Sequence, residues 1–212
     1  MKVVCISDTH EQHPFDVPDG DLLIHSGDLT WDGNPVAIKN SIAWLKSLPH
    51  QFKVVIAGNH DFEFYEHCGP SSDGFHILND SGVTIENLKV WGSPITPQFG
   101  NWAFMQTRGD EIARTWNKIP YDTDILITHG PPMGILDQTP PKWGSINAGC
   151  WDLMAKVKLI KPKLHVFGHI HQGYGITEKH GTIFVNASSC TEDYEAKHKP
   201  IVVEILEDNH VE

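Results

Sequence analysis

The segment Val54 to Asp61, VVIAGNHD, joins a short apolar run to polar side chains that can bind metals or transfer protons. Four other places in the 212-residue chain have the same arrangement. The apolar runs are Val3 to Ile6, Leu22 to His25, Ile125 to Ile127 and His165 to Phe167, and the polar segments after them are Asp8-Thr9-His10, Gly27-Asp28, His129 and Gly168-His169-Ile170-His171. Short runs of this kind are typical of buried strands. Because functional residues gather at strand ends in such sheets, we expect the five polar segments to lie together.

The rest of the pattern predicts an α/β layered fold. A helix is expected at about 35 to 48, with Asn34 as its N-cap and Pro35 in its first turn. Further strands are predicted at 75–78, 83–85, 88–91, 124–128, 163–167 and 201–206, with a hairpin at about 174–187 and helices around 112–119 and 153–160. The pair 83–85 and 88–91 is interpreted as closing the first half of the chain. Strands that alternate with helices indicate layered α/β architecture.

Length, charge and cysteines limit the classes of protein that fit. No linker divides the chain, so we expect one domain over residues 1–212. Neither a signal peptide nor an apolar stretch of about 20 residues is present, which favours a soluble, cytoplasmic protein that binds no membrane. The net charge of -11 disfavours binding of long nucleic acids. The four cysteines form no Cys-x-x-Cys pair, so neither a disulfide framework nor a thiolate zinc site is expected.

The five polar segments, taken in order, carry a family resemblance. Asp-x-His, Gly-Asp, Gly-Asn-His-Asp, His and Gly-His-x-His resemble the motifs of the calcineurin-like metallophosphoesterase superfamily over residues 8 to 171. This resemblance implies a four-layer α/β/β/α sandwich of mixed sheets and a metal-dependent phosphoric ester hydrolase. Residues 90–104 and 184–191 resemble a smaller subgroup, the metallophosphoesterase-domain proteins related to the small cyclic nucleotide phosphodiesterases.

The resemblance also implies a binuclear metal centre. Asp8, His10 and His171 would hold one ion, Asn59, His129 and His169 would hold the other, and Asp28 would bridge them. Taken singly, Asp8 could cap a turn, Asp28 could be a surface carboxylate and His129 could be a hydrogen-bonded core histidine. Carboxylate, imidazole and amide ligands without thiolate suit manganese, iron or zinc, with magnesium as a further candidate. A water between two such ions loses a proton readily and can attack phosphorus.

His60 is predicted to be the general acid. It follows the ligand Asn59 but is not a ligand in the family pattern. Its neighbour Asp61 is expected to orient the ring and favour the protonated form, which suits protonation of a leaving alkoxide. A structural histidine on a loop is the alternative.

The scarcity of arginine bears on the class of ester. No arginine follows Gly27-Asp28, and the two in the chain, Arg108 and Arg114, lie outside every metal motif. A dianionic monoester gains more from a guanidinium clamp than a monoanionic diester does. The sequence therefore favours a small phosphodiester, with nucleotide-derived compounds and cyclic nucleotides as candidates.

Two loops, Trp91 to Trp102 and Gly130 to Gly149, are candidates for shaping the substrate cavity. The predicted substrate contacts are Asn59, His60, Trp91 and Asn186. The aromatic residues of the first loop could stack a base or only pack over the rim of the sandwich, and a turn role is the alternative for Asn186.

Two other functions remain open at this point. One is a phosphomonoesterase with broad specificity for small molecules. The other is a metal-binding scaffold that binds partner proteins and has little catalytic activity. The complete ligand set and the presence of His60 argue against the scaffold.

Overall fold

Two β-sheets lie face to face in the computed structural model, which describes residues 1–13, 16–144 and 146–206. In these residues the first sheet has the order β13 (Ile201–Glu204), β1 (Lys2–Ile6), β2 (Leu22–His25), β3 (Phe52–Val55) and β4 (Phe75–Ile77). Strands β1 to β4 are parallel, and β13 pairs antiparallel with β1. The last strand of the chain thus returns to the sheet that the first strand began.

The second sheet is also mostly parallel. Among the described residues its order is β11 (Gly175–Lys179), β12 (Thr182–Asn186), β10 (Leu164–Phe167), β9 (Ile125–Thr128), β6 (Leu88–Ser93) and β5 (Ser81–Ile85). The four central strands are parallel, and the edge strands β11 and β5 are antiparallel to their neighbours. Two short strands, β7 (Thr96–Pro97) and β8 (Met105–Gln106), pair apart from both sheets.

Helices cover the outer faces of the sheets. They are α1 (Pro35–Ser47), α2 (Phe64–His67), α3 (Asp110–Asn117) and α4 (Trp151–Ile160). Along β1, Val3 and Cys5 face the second sheet, whereas Val4 and Ile6 pack against α1, as the alternation of side chains along a strand requires. Helices α3 and α4 pack on the second sheet through a cluster that includes Trp116. The predicted α/β/β/α sandwich is confirmed.

The start of α1 follows from its sequence. The Asn34 side chain accepts hydrogen bonds from the backbone N–H groups of Val36 and Ala37 at 2.9 and 3.4 Å. Pro35 occupies the first helical turn, where a missing N–H costs nothing. Both predictions for this helix start are confirmed.

The interpretation of the hairpin at 83–91 is wrong. Strands β5 and β6 do not close the first half, because β6 pairs with β9 and so begins the second sheet. Helix α2 and the pair β7–β8 were not predicted. All four cysteines are free and buried. No helix in the described ranges is both long and apolar enough to cross a bilayer.

The two sheets meet at the edge where the polar segments lie. Ser7, just after β1, forms a parallel bridge with Ser188, just after β12. The backbone N–H of Ser189 also donates to the Ser7 carbonyl at 2.7 Å. The carboxyl ends of strands from both sheets are therefore held together at one place.

Candidate metal centre and substrate cavity

Three predicted ligands from distant parts of the chain form the first group. The ligand atoms of Asp8, His10 and His171 all lie within 4.8 Å of one another. His171 Nε2 is 3.2 Å from Asp8 Oδ1. Ser188 Oγ donates to the other Asp8 oxygen at 2.9 Å, and the backbone N–H of His169 donates to both oxygens. Asp8 is thus fixed by the loop that carries the ligands after β10.

A second group forms beside the first. The ligand atoms of Asp28, His129 and His169 also lie within 4.8 Å of one another. Asn59 Oδ1 is 3.0 Å from His129 Nε2, so the predicted amide ligand faces the same point. We call the seven residues of the two groups the floor of the site: Asp8, His10, Asp28, Asn59, His129, His169 and His171.

Asp28 lies between the two groups. Its Oδ2 is 3.2 Å from Nε2 of His129 in the second group and 4.0 Å from Nε2 of His10 in the first. Its Oδ1 accepts a hydrogen bond from the His60 backbone N–H at 2.8 Å. One carboxylate therefore faces both candidate metal positions.

Much of the floor has a strained backbone. Asp8, His10, Asp28 and His169 have positive φ values of 50°, 42°, 54° and 68°. Residues other than glycine rarely adopt this conformation, Asp and His more readily than most, and it costs about 1–3 kcal/mol each. The surrounding hydrogen bonds must therefore hold these residues in place.

Two glycines in the motifs allow close approach. A Cβ at Gly168 would lie 1.9 Å from Asp8 Oδ2, and one at Gly58 would lie 2.2 Å from Asp28 Oδ1. Any larger residue would displace a floor carboxylate. The glycines that precede His169 and Asn59 are therefore part of the site.

Backbone carbonyls orient three of the floor histidines. Nδ1 of His10 lies 3.1 Å from the Thr30 carbonyl, Nδ1 of His129 lies 2.9 Å from that of Ser26, and Nδ1 of His171 lies 2.9 Å from that of Thr191. A carbonyl only accepts, so Nδ1 carries the proton and Nε2 is the ligand atom in each ring. His10 Nε2 is buried without a hydrogen-bond partner among the described residues. A cation would satisfy that nitrogen, so these residues fit metal ions.

The charges of the floor suit cation binding. Burial raises the pKa of Asp8, but His171 and His129 outweigh burial and hold that pKa well below its usual range. Burial opposes protonation of His129, but Asp28 and Asp8 raise its pKa to about 9. Burial, with help from charge on His129, lowers the pKa of His169 to about 3. Asp8 is therefore ionised and His169 neutral near pH 7, while a cation must displace a proton from His129.

His60 lies at the edge of the floor and lines a cavity. Its Nδ1 is 2.7 Å from the Trp31 carbonyl, which orients the ring and accommodates either the neutral or the protonated form. The ring also contacts Trp102, with ring centroids 4.3 Å apart.

The predicted contact between Asp61 and the His60 ring is absent from the described structure, and the Trp31 carbonyl takes that place. Asp61 instead accepts hydrogen bonds from the backbone N–H groups of Leu29, Thr30 and Gly58 and from the Thr30 hydroxyl. Burial and the nearby Asp28 raise its pKa to about 6, against the effect of these hydrogen bonds. Asp61 holds the loop after β2 to the loop after β3, and the prediction that it orients the His60 ring is wrong.

Two predicted substrate contacts lie elsewhere. Trp91 points to the helix layer of the second sheet, because its neighbour Val90 occupies the face between the sheets. Asn186 is fully buried, donates to the carbonyls of Leu136 and Ile170, and accepts from the Ser188 backbone N–H at 3.2 Å. It positions Ser188, which in turn binds Asp8, and it does not reach the cavity.

A cavity of about 560 Å³ opens above the floor. Its lining includes Phe99, Trp102, Arg108, Trp143, Asn147 and Tyr194, together with floor residues. We call residues 97–108, 130–144 and 146–148 and Tyr194 the walls of the site. Both predicted loops contribute, but Tyr194 was missed, although it follows closely on the 184–191 stretch that carried the narrower resemblance. Arg108, placed by its sequence outside the metal motifs, also lines the cavity.

Similarity to known proteins identifies the family of the chain. A model of the calcineurin-like phosphoesterase family matches residues 1–173. Metallophosphoesterase domain-containing protein 1 of Homo sapiens is 40% identical over 232 residues, which cover 96% of this chain and 71% of the human protein. A 3′,5′-cyclic-nucleotide phosphodiesterase of Nostoc sp. is 24% identical over 200 residues, which cover 85% of this chain and 66% of that protein.

Solved structures show the same fold. The phosphopantetheinyl hydrolase of Mycobacterium tuberculosis has a TM-score of 0.58 at 14% identity, over 91% of this chain and 90% of its own. The protein TT1561 of Thermus thermophilus has a TM-score of 0.60 at 12% identity, over 87% of this chain and 88% of its own. Since the family model spans most of the chain and the human relative is 40% identical, the chain belongs to the calcineurin-like phosphoesterase family, and membership implies a metal-dependent phosphoester hydrolase.

Proposed function

We propose that the protein is a binuclear metal-dependent phosphodiesterase that acts on small diesters, with nucleotide-derived compounds and cyclic nucleotides as the first candidates. The position of Asp28 carries the proposal. One of its oxygens lies 3.2 Å from His129 Nε2 and 4.0 Å from His10 Nε2, and these nitrogens belong to different ligand groups. A carboxylate in this place can join two ions, which lie about 3.5–4 Å apart in two-metal hydrolases.

The geometry of the floor supports an assignment of residues to each ion. Asp8, His10 and His171 would hold one, Asn59, His129 and His169 would hold the other, and Asp28 would be shared. The oxygen and imidazole ligands suit manganese, iron or zinc, and magnesium is a weaker match because it prefers oxygen. When bound, two such ions supply an acidified water for attack on phosphorus and neutralise charge on the phosphoryl oxygens.

His60 would protonate the leaving group. Its ring lines the cavity beside the floor, and the Trp31 carbonyl fixes Nδ1 at 2.7 Å, which leaves Nε2 to face the substrate. The same residue's backbone N–H binds Asp28, so the acid and the shared carboxylate keep a constant relation. A proton delivered at that point allows a poor alkoxide to depart.

The preference for diesters rests on how Arg108 is used. Although Arg108 lines the cavity, its two terminal nitrogens donate to the carbonyls of Gly149 and Ala148 at 2.7 and 2.8 Å. A guanidinium engaged in this way is a poorer clamp for a phosphate dianion. The relative from Nostoc sp. is named for action on 3′,5′-cyclic nucleotides, which are diesters, and this supports the same preference.

A phosphomonoesterase is the second candidate. Arg108 retains N–H groups beyond the two that its wall contacts use, and these could meet an additional negative charge in the cavity. That arrangement would favour a monoester or a substrate with a second anionic group.

A substrate panel tests the proposal. Metal-free protein is reconstituted separately with manganese, iron, zinc or magnesium and assayed on bis(p-nitrophenyl) phosphate, p-nitrophenyl phosphate, and 2′,3′- and 3′,5′-cyclic nucleotides. We expect kcat/KM to be higher on diesters than on monoesters with the same metal. Asp28→Ala protein, prepared in parallel, measures contaminating activity.

Two results would count against the proposal. Comparable or higher kcat/KM on monoesters would replace the diesterase with a monoesterase. Turnover near the Asp28→Ala background with every metal would contradict an enzymatic function and favour the scaffold.

A further inference from the structure

The cavity reaches the two ligand groups unequally. Its lining includes Asp28, Asn59 and His169 of the second group but only His171 of the first, because Asp8 and His10 are fully buried. An occupant of the cavity therefore meets the first group at His171 and at the side chains that cover His10.

Three aromatic rings provide that cover. Trp31 stacks on His10 at a centroid distance of 4.8 Å, His60 meets His10 edge-on at 4.8 Å, and the Tyr194 ring meets it edge-on at 5.0 Å. Tyr194 also contacts His171 at 5.1 Å and lies 6.2 Å from His60. Of Trp31 and Tyr194, only Tyr194 lines the cavity.

Tyr194 is held in place at a conformational cost. Its φ is 61°, a left-handed conformation that is a genuine outlier for a bulky side chain. Its carbonyl accepts from Gln12 Nε2 at 2.8 Å, and its N–H donates to the Thr191 carbonyl at 2.9 Å. That carbonyl also accepts from His171 Nδ1, so one short turn both orients a floor ligand and presents Tyr194 to the cavity.

We propose that Tyr194 is a substrate-contacting residue whose ring forms one side of a slot for the organic group of the phosphoester. Trp102, which also lines the cavity, forms the other side, and His60 forms the base of the slot, with its ring centroid 4.3 Å from that of Trp102 and 6.2 Å from that of Tyr194. The inference rests on the proposed phosphoesterase function, since the slot lies next to the residue that would protonate the leaving group. Flat or apolar organic groups fit between aromatic faces better than small polar ones do.

Equilibrium binding of two phosphonates tests the slot without turnover. Phenylphosphonate and methylphosphonate carry the same anionic head, but only the first has a ring. In metal-loaded protein we expect Tyr194→Leu to weaken phenylphosphonate binding about 3- to 10-fold and to change methylphosphonate binding less than about 2-fold. Bound metal should be unchanged, and Tyr194→Phe, which keeps the ring, should bind both ligands as the wild type does.

Two controls separate substrate contact from cover of the metal site. Trp31→Leu removes a ring that contacts His10 and Tyr194 without lining the cavity, and Tyr121→Leu removes a highly exposed tyrosine. Tyr121→Leu should leave the ratio of the two affinities unchanged, and Trp31→Leu should change it less than Tyr194→Leu does. Equal weakening of both ligands, metal loss in Tyr194→Leu, or a ratio change in Trp31→Leu as large as that in Tyr194→Leu would overturn the slot. If metal-loaded wild-type protein binds neither phosphonate, the slot is overturned, whereas the proposed function fails only if the substrate panel also shows no turnover above background.

Discussion

Floor residues are buried and fixed by the backbone, whereas several wall side chains are exposed and held by few polar contacts. In the floor, three histidines are oriented by carbonyls, and Asp8 and Asp28 accept backbone N–H groups. In the walls, Phe99, Trp102 and Trp143 are 45%, 39% and 57% exposed. The floor thus suits a reaction that tolerates little movement, and the walls suit graded selection among substrates.

The walls nevertheless have two polar anchors. Asp137 accepts hydrogen bonds from the N–H groups of Gly134 and Gly149 and from the Asn147 side chain. Arg108 joins the first wall loop to the second through the carbonyls of Ala148 and Gly149. The geometry of the walls therefore depends on a few side chains, unlike that of the floor. Substitution of these side chains should alter substrate binding without removing metals.

The largest expected effect comes from Asp28→Ala, in the floor. Loss of the shared carboxylate leaves two cations with no anion between them, so both metal positions should empty and activity should fall to background. His10→Ala is the matched variant and should mainly weaken one position. Metal content by elemental analysis and activity give the comparison. Two ions retained by the Asp28→Ala protein would show that Asp28 is not the bridge.

His60 lies where floor and walls meet, so it tests whether chemistry can be lost while metals stay. His60→Asn should lose about 10²- to 10⁴-fold in kcat on alkyl or ribose leaving groups and much less on nitrophenyl esters, because nitrophenolate departs unprotonated. Metal content should be preserved. An equal loss on both kinds of ester would remove the acid role, and loss of an ion would make His60 part of the floor.

The sequence predicted that the floor residues lie together because each polar segment follows a buried strand, and the family resemblance supplied their roles as candidate ligands. The sequence did not predict the partners of Asp61 correctly, because the side chains of neighbouring loop residues can point in different directions. Asp61 points away from the His60 ring and accepts hydrogen bonds from the N–H groups of Leu29 and Thr30. The alternation of side chains along a strand bears on Trp91, which was predicted to contact the substrate. Val90 and Trp91 are consecutive in β6, so only one of them can face the other sheet.

The walls were only partly predictable. The two loops were recognisable from their length and composition, but the cover over His10 comes from Trp31 and Tyr194, which lie far apart in the chain. Contacts of this kind depend on how the two sheets pack. The hairpin β5–β6 shows the same limit, since its pattern reveals antiparallel pairing but not the sheet to which it belongs.

The pH dependence of folding stability tests how rigidly strand β10, which precedes the loop with His169 and His171, keeps the ring of His165 buried. Burial lowers its pKa to about 3, whereas an unfolded histidine has a pKa of about 6.5. Between these two pKa values the unfolded state binds more protons than the folded state, so stability falls as the pH drops below about 6.5. Between pH 8 and pH 5 this ring should lower the free energy of unfolding by about 2 kcal/mol.

Urea unfolding at pH 8 and pH 5 measures this contribution. His165→Gln should be less stable than wild type at pH 8 but should lose about 2 kcal/mol less on acidification. His180→Gln, on an exposed turn, is the control and should retain the wild-type difference between the two pH values. An unchanged difference in the His165→Gln protein would mean that this ring is protonated equally in both states.

The smallest expected effect is in the walls, at Arg108. Lysine lacks the planar fork that reaches two carbonyls, so Arg108→Lys should loosen the contact with Ala148 and Gly149. Because the floor has no contact with this fork, KM should rise about 3- to 10-fold while kcat changes less than about 2-fold and metal content stays constant. Arg114→Lys, the other arginine of the chain and exposed on α3, should leave both kinetic constants unchanged. A large fall in kcat or a loss of metal in Arg108→Lys would show that the walls also hold the floor in place, and the two regions would then have to be treated as one structural unit.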